Sequence, residues 1–283
     1  MPRSHSKPIK PVDPHVLRLR VIHTERIGTS IVRVTLGGHD LTHFTPLGHD
    51  QWFRLFLPRD PHTEPPLPTS TNALWWPQVL RMPESTRPYV RNYTVSGFRS
   101  TADGARELDV DFVIHEPAHD DDARHKPATG GGYGVASDWA ASAEPGMPVG
   151  LLDQGIGWNP PGPFDHTLIV GDETALPAVA GIARDLSVET RGTIVIEVPH
   201  PGDRRELGQP DGVDVHWVVR DGTETKPGQQ ALATAASIAD NITPDGMYAY
   251  VSGEQALATG LRRALVARGV PKSHITFCGY WRQ

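Results

Sequence analysis

At 283 residues the chain is long for one domain and suits two of roughly 100–170 residues each. A formal charge of −6 excludes the non-specific nucleic-acid binding that relies on a positive surface. A single cysteine, Cys278, excludes an intrachain disulfide and any Cys-based zinc or iron–sulfur centre.

Residues 1–14 are basic and Pro-rich with no apolar segment behind them, so they read as a flexible arm and not as a secretory signal. No apolar run reaches the length of a membrane span, and a soluble cytoplasmic protein without membrane insertion is expected. Partial alternation over 15–24 (Leu17, Leu19 and Val21 against Arg18 and Arg20) gives a half-buried strand. Further strands are read at 31–36, 52–57, 92–98, 108–114 and 149–152. Six short strands with Gly and Pro between them predict a six-stranded antiparallel β-barrel over 15–160.

Two insertions interrupt that barrel. Residues 58–88 are rich in Pro and Thr, and 119–134 carry an acidic triplet, Asp120 to Asp122, and a glycine triplet; both read as long loops without regular structure. Trp75-Trp76 in the first either faces an aromatic chelator or fastens the loop to the barrel. His115, His119 and His125 beside the acidic triplet read as a solvated loop, and no metal site is expected.

After Pro160-Pro161-Gly162-Pro163 the pattern changes to alternating strands (166–170, 193–198, 213–219, 247–251, 274–278) and helices (175–186, 229–239, 256–268). That order predicts a parallel-sheet α/β domain over 164–283 of the nucleotide-binding type. Cys278, next to Phe277, is expected in its core.

Four strings carry the chemistry. Arg91-Asn92-Tyr93-Thr94 heads a barrel strand and offers a guanidinium, an aromatic face and a hydroxyl. Gly134 to Ala140 begins a helix, with Ser137 in a capping position, and a helix start suits a pyrophosphate. Gly171-Asp172-Glu173-Thr174-Ala175-Leu176-Pro177 lies where the first α/β strand hands over to a helix, the edge at which such sheets bind ligands. Its two acids would repel a phosphate, so they suit the nicotinamide end or a helix cap. Val251-Ser252-Gly253-Glu254 repeats the strand-to-helix theme.

These strings, with Gly279-Tyr280-Trp281-Arg282 at the end, occur in the same order in siderophore-interacting proteins, and the chain resembles that family from about Val16 to Arg282. The resemblance implies an FAD-dependent ferric-siderophore reductase of the ferredoxin–NADP reductase superfamily, fed by NADPH or NADH. It would place Arg91 at the FAD pyrophosphate, Tyr93 beside the isoalloxazine and Thr94 near its N5. Ala136 and Ser137 would bind the pyrophosphate, Asp172, Glu173 and Thr174 would line the nicotinamide channel, and Trp281 would lie near the flavin. Asn92, His115, Ser252 and Glu254 complete the cofactor-binding set, and Arg54 in the third barrel strand would meet the siderophore. No side chain needs to act as acid, base or nucleophile; catalysis would be positioning.

Donor choice is read past strand 193–198. Glu197 lies inside that strand, while Arg204 and Arg205 follow on a Pro/Gly loop and suit the 2′-phosphate of NADPH, unless Asp203 pairs with them. The alternatives are another NAD(P)H-dependent flavin oxidoreductase on the same scaffold, or a non-catalytic carrier of siderophore or flavin. A carrier would need no second domain.

Overall fold

The structure, a computed structural model, describes residues 7–114, 134–220 and 225–283. Its first sheet contains seven antiparallel strands: β1 (Val16–Arg26), β2 (Ile31–Gly37), β3 (Trp52–Leu57), β4 (Tyr89–Thr94), β5 (Gly97–Ser100), β6 (Arg106–Val113) and β7 (Pro148–Gly155). The expected six become seven because the segment read as one strand over 92–98 breaks at Val95-Ser96 into β4 and β5.

The break shapes the sheet. Strand order is β4-β3-β7-β1-β2-β6-β5, so β4 and β5 are consecutive in the chain yet stand at opposite edges. Two residues can join opposite edges only if the sheet curls until they approach. Ser96 fixes the corner: its N–H donates to Asp109 O at 2.9 Å and its hydroxyl to Asp111 Oδ2 at 2.7 Å. No ladder closes β4 onto β5 among the described residues, so the sheet is barrel-like and open there.

Inside the curl, Leu17, Leu19 and Val21 of β1 alternate inward and meet Leu36, Phe53, Leu55, Val110, Phe112 and Leu151. Burying each such side chain contributes about 1.5–3 kcal/mol. Helix α2 (Val135–Ala141) closes the core with Trp139.

The excursion between β3 and β4 is not structureless. It holds helix α1 (Trp75–Leu80), whose Val79 packs with Phe56 and Leu152 on the outer face of the sheet, with Leu67 and Trp75 against them. A Cβ at Gly150 would lie 2.2 Å from a Leu67 methyl, so glycine there admits the excursion. The reading missed α1 because six residues are too few to show a helical period.

The second unit is a parallel sheet with crossover helices: β8 (His166–Gly171), α3 (Leu176–Asp185), β9 (Gly192–Val198), β10 (Val213–Val219), α4 (Gln229–Ala239), β11 (Met247–Glu254), α5 (Gln255–Ala267) and β12 (Ile275–Trp281). Strands β9 and β11 are buried along their whole length and read as apolar runs, as sheets covered on both faces require. Helix α5 buries Leu257, Ala258, Leu261 and Leu265, one stripe of a 3.6-residue period.

The order β10-β9-β8-β11-β12 reverses direction between β8 and β11. That reversal is a topological switch point, where the carboxyl ends of the strands open a crevice.

This compact unit also takes in residues 7–9 and the segment Leu47–Gln51. Ile9 and Ile156 exchange two backbone hydrogen bonds of 2.9 Å. Cys278 is exposed on β12, not in the core as expected, because β12 is the edge of the sheet. No helix among the described residues is long and apolar enough to cross a membrane.

Candidate cofactor and substrate sites

In the barrel, register decides which side chains share a face. Across the β3–β4 ladder Phe53 pairs with Tyr93 and Leu55 with Arg91, so Arg91 and Tyr93 lie on the face of the core residues. Arg54 pairs with Asn92 and Trp52 with Thr94, on the other face.

The Tyr93 ring packs at a tilt against Phe112, 4.4 Å between centres, and Phe112 lies 5.6 Å from Trp139, so ring contacts join β4 to α2. Burial pushes the Tyr93 phenol above its ordinary pKa, and it stays protonated. Arg91 Nη1 donates to Val90 O at 2.9 Å, and among the described residues the guanidinium meets no carboxylate. Trp139 Nε1 is buried without a hydrogen-bond partner.

Ser137 is not the cap of α2. The helix starts one turn earlier, at the Gly134 N-cap, whose carbonyl accepts the Asp138 N–H at 2.6 Å, and Ser137 is buried within the first turn. An uncompensated cation, an aromatic ring and an orphaned indole N–H in one barrel fit a flavin dinucleotide, which carries phosphates, a flat ring system and many acceptors. His115 lies outside the described residues, as do His119, His125 and Asp120 to Asp122.

On the opposite face of β3, Arg54 Nη1 donates to Asn92 Oδ1 at 3.1 Å. The guanidinium carbon lies 4.3 Å from the Trp75 ring centre and 5.4 Å from that of Trp52.

In the α/β unit, Asp172 is the hub. It stands at the end of β8 with no exposed surface. Its Oδ1 accepts the Thr174 N–H at 2.9 Å and the Thr174 hydroxyl at 2.6 Å; its Oδ2 accepts the Glu254 N–H at 2.6 Å and the Trp281 indole N–H at 3.1 Å. One carboxylate thus ties together the ends of β8, β11 and β12. A Cβ at Gly253 would lie 2.6 Å from this carboxylate, and Gly253 has φ +130°, so glycine is required twice over. Burial raises the Asp172 pKa against these hydrogen bonds.

Beside it, Glu173 is held by Arg220 through two parallel bonds of 3.0 and 2.7 Å, and Arg220 Nη1 also donates to Glu197 at 2.7 Å. The three side chains are 5%, 11% and 0% exposed, so this is a buried ionic triad. Burial and then the Asp172 charge raise Glu173 to about 7. Burial works against the Arg220 cation, but the two carboxylates outweigh it and keep it charged.

Glu197 also accepts the N–H groups of Gly228 at 2.6 Å and Ala231 at 2.7 Å, capping α4 from a neighbouring strand. Glu254 caps α5 through the N–H groups of Ala256 and Leu257. Ser252 is fully buried, beside the Tyr250 and Tyr280 hydroxyls.

Asp50 accepts the N–H groups of Gly157 and Trp158 and the Tyr250 hydroxyl, between 2.8 and 3.0 Å. Arg204 is exposed and Arg205 half-buried. Asp203 is buried and accepts the His200 N–H at 3.3 Å in a capping box.

Sequence reasoning missed Arg220, Asp50 and Trp139. The first had a signal, since an arginine directly after an apolar strand stands at the ligand-binding edge. Asp50 had none; its partners lie more than a hundred residues away.

Residues 20–157 match the family model described as siderophore-interacting FAD-binding domain, and residues 164–283 the one described as siderophore-interacting protein. An uncharacterized protein of Mycobacterium tuberculosis is 32% identical over 272 residues, 93% of this chain and 89% of the relative. The NADPH-dependent ferric-chelate reductase of Escherichia coli is 28% identical over 269 residues, 93% and 91% of the two chains. Among solved structures, a siderophore utilization protein from T. fusca matches with a TM-score of 0.76 at 27% identity, over 98% of this chain and 96% of that one.

Proposed function

Because the chain belongs to the siderophore-interacting protein family, we propose that it is an FAD-dependent oxidoreductase that draws electrons from NADPH and reduces siderophore-bound Fe(III) to Fe(II). The observation that carries this reading is the arrangement on β4, where a guanidinium without a carboxylate partner and a ring packed into the barrel share one face. Bound FAD would supply the conversion between a two-electron hydride donor and a one-electron ferric acceptor. Siderophores hold Fe(III) through hard oxygen donors that bind Fe(II) more weakly, so reduction loosens the chelate.

The chain's own residues position the partners. Arg91 and the first turn of α2, with Ala136 and Ser137, take the FAD pyrophosphate; Tyr93 flanks the ring system and Thr94 lies toward N5. Asp172 acts through others: it fixes the Trp281 indole and the Glu254 backbone at the switch point. Glu173 and Thr174 complete that edge with Ser252.

The first turns of α4 and α5 are closed to phosphates, because Glu197 and Glu254 already occupy N–H groups there, and just ahead of α3 the Asp172 carboxylate takes the Thr174 N–H and would repel one. Recognition of the nucleotide phosphates therefore falls to side chains, and Arg204 and Arg205 are the candidates for the 2′-phosphate of NADPH. Substituting both with alanine is expected to reduce the preference in kcat/KM for NADPH over NADH by roughly ten- to a hundredfold, the range of a charge-assisted contact. Equal use of both nucleotides by the parent would refute the assignment.

A cytoplasmic location, with access to NADPH, belongs to the same proposal. Anaerobic addition of NADPH to the purified yellow protein separates the reductase from a carrier. Bleaching of the flavin absorbance is expected, and an unchanged spectrum would favour the carrier.

A further inference from the structure

Between β3 and β4 the chain gathers positive charge that the protein does not neutralise. Arg54, Arg59, Arg81 and Arg87 form no ion pair with a carboxylate among the described residues. Of the three acids of that stretch, Glu64 pairs with Arg20, Asp60 accepts from its own turn at His62 and Thr63, and Glu84 is exposed and forms no ion pair among the described residues, which leaves the arginines in excess. The arginines lie around α1. Arg87 donates to the carbonyls of Leu80 and Met82 at the end of that helix, Arg59 donates to Arg87 O, and Arg54 lies under Trp75 at its start. On a chain of net charge −6 such a concentration calls for an anionic ligand.

The same place exposes aromatic and aliphatic surface. Trp75 and Val79 turn toward the barrel, while Leu74, Trp76 and Leu80 are 60%, 44% and 46% exposed. The Trp76 ring lies 5.3 Å from that of Trp75, so exposed indole continues into the indole that carries Arg54. Arg54 Nε is buried with no acceptor. Asn92 and Trp75 hold the guanidinium in place, which makes them positioning residues.

We propose that Arg54, Trp75 and Trp76 form a selectivity surface for ferric chelates whose ligands are aromatic and anionic, of the catecholate class. This rests on the reading of the protein as a ferric-siderophore reductase. A catecholate complex presents flat rings to the indoles and several negative charges to the guanidiniums. Hydroxamate chelates of iron offer neither, and citrate chelates offer charge without rings. The two halves of the surface are therefore separable by probe.

The test is equilibrium dialysis of the FAD-loaded protein against redox-inert Ga(III) chelates of a tris-catecholate, a trihydroxamate and citrate. The parent is expected to bind the catecholate most tightly. Trp76→Ala, at an exposed position, should weaken the catecholate about tenfold and leave citrate unchanged, as loss of a ring contact predicts. Arg54→Gln should weaken both anionic chelates, with a difference that shrinks as salt is added. Equal binding of catecholate and hydroxamate by the parent overturns the proposal, as does a preference that survives Trp76→Ala.

The underlying reading fails separately. If no ferric chelate reoxidises the reduced flavoprotein, both fall. If all three classes reoxidise it alike and bind alike, only the selectivity falls.

Discussion

Replacing Arg220 with methionine is expected to destabilise the α/β unit by about 3–5 kcal/mol at pH 8.5, because it strands Glu173 and Glu197 in the interior without their cation. In a thermal melt this corresponds to a drop on the order of 10 °C. The loss should depend on pH in a defined direction. Glu173 is already raised from 4.5 to about 7 in the intact protein, by burial and by Asp172. A carboxyl raised on folding favours the native state while protonated, and that advantage disappears as pH rises through its native value. Removing Arg220, which pulls this value down, extends the loss further upward. The variant should therefore be less impaired at pH 5.5 than at pH 8.5. Urea unfolding at both values measures it; equal penalties, or penalties below 1 kcal/mol, would contradict a buried triad.

Arg91→Ala is expected to weaken FAD retention by about 1.5–3 kcal/mol, the usual contribution of a charge-assisted hydrogen bond to a phosphate. That is roughly ten- to a hundredfold in affinity. Arg91 is the residue to change because it is half-buried and no carboxylate holds it, so its removal leaves no stranded partner inside the barrel. Tyr93 stays packed on Phe112 and α2 on its own core contacts. Flavin absorbance after gel filtration reads the occupancy directly, and full retention by the variant would remove Arg91 from the site.

Much of this architecture was legible in the sequence because its signals are local. Strand 52–57 alternates Phe53, Leu55 and Leu57 against Trp52, Arg54 and Phe56, and the register places those two sets on opposite faces. The α/β half was legible because apolar strands such as β9 alternate with helices of regular stripe.

What escaped notice depends on contacts between distant residues. The division of 92–98 into two strands follows from closing a curled sheet, where Ser96 turns to Asp109 and Asp111. The capping of α4 by Glu197 joins residues more than thirty apart, and no spacing rule reveals it. Cys278 illustrates a different failure: a strand of apolar residues at a sheet edge leaves one face outward, and sequence alone does not say which strand is the edge.

The central claim is that electrons from a nicotinamide nucleotide leave this protein one at a time onto chelated iron. Anaerobic stopped-flow mixing tests it directly. The flavoprotein is first reduced with one equivalent of NADPH and then mixed with a ferric catecholate in the presence of an Fe(II)-specific dye. The expected result is recovery of the oxidised flavin spectrum in step with dye colour, at about two Fe(II) per flavin, since a hydride carries two electrons and Fe(III) accepts one. Flavin that stays reduced in the presence of the chelate, or that reoxidises without any Fe(II) appearing, would contradict it.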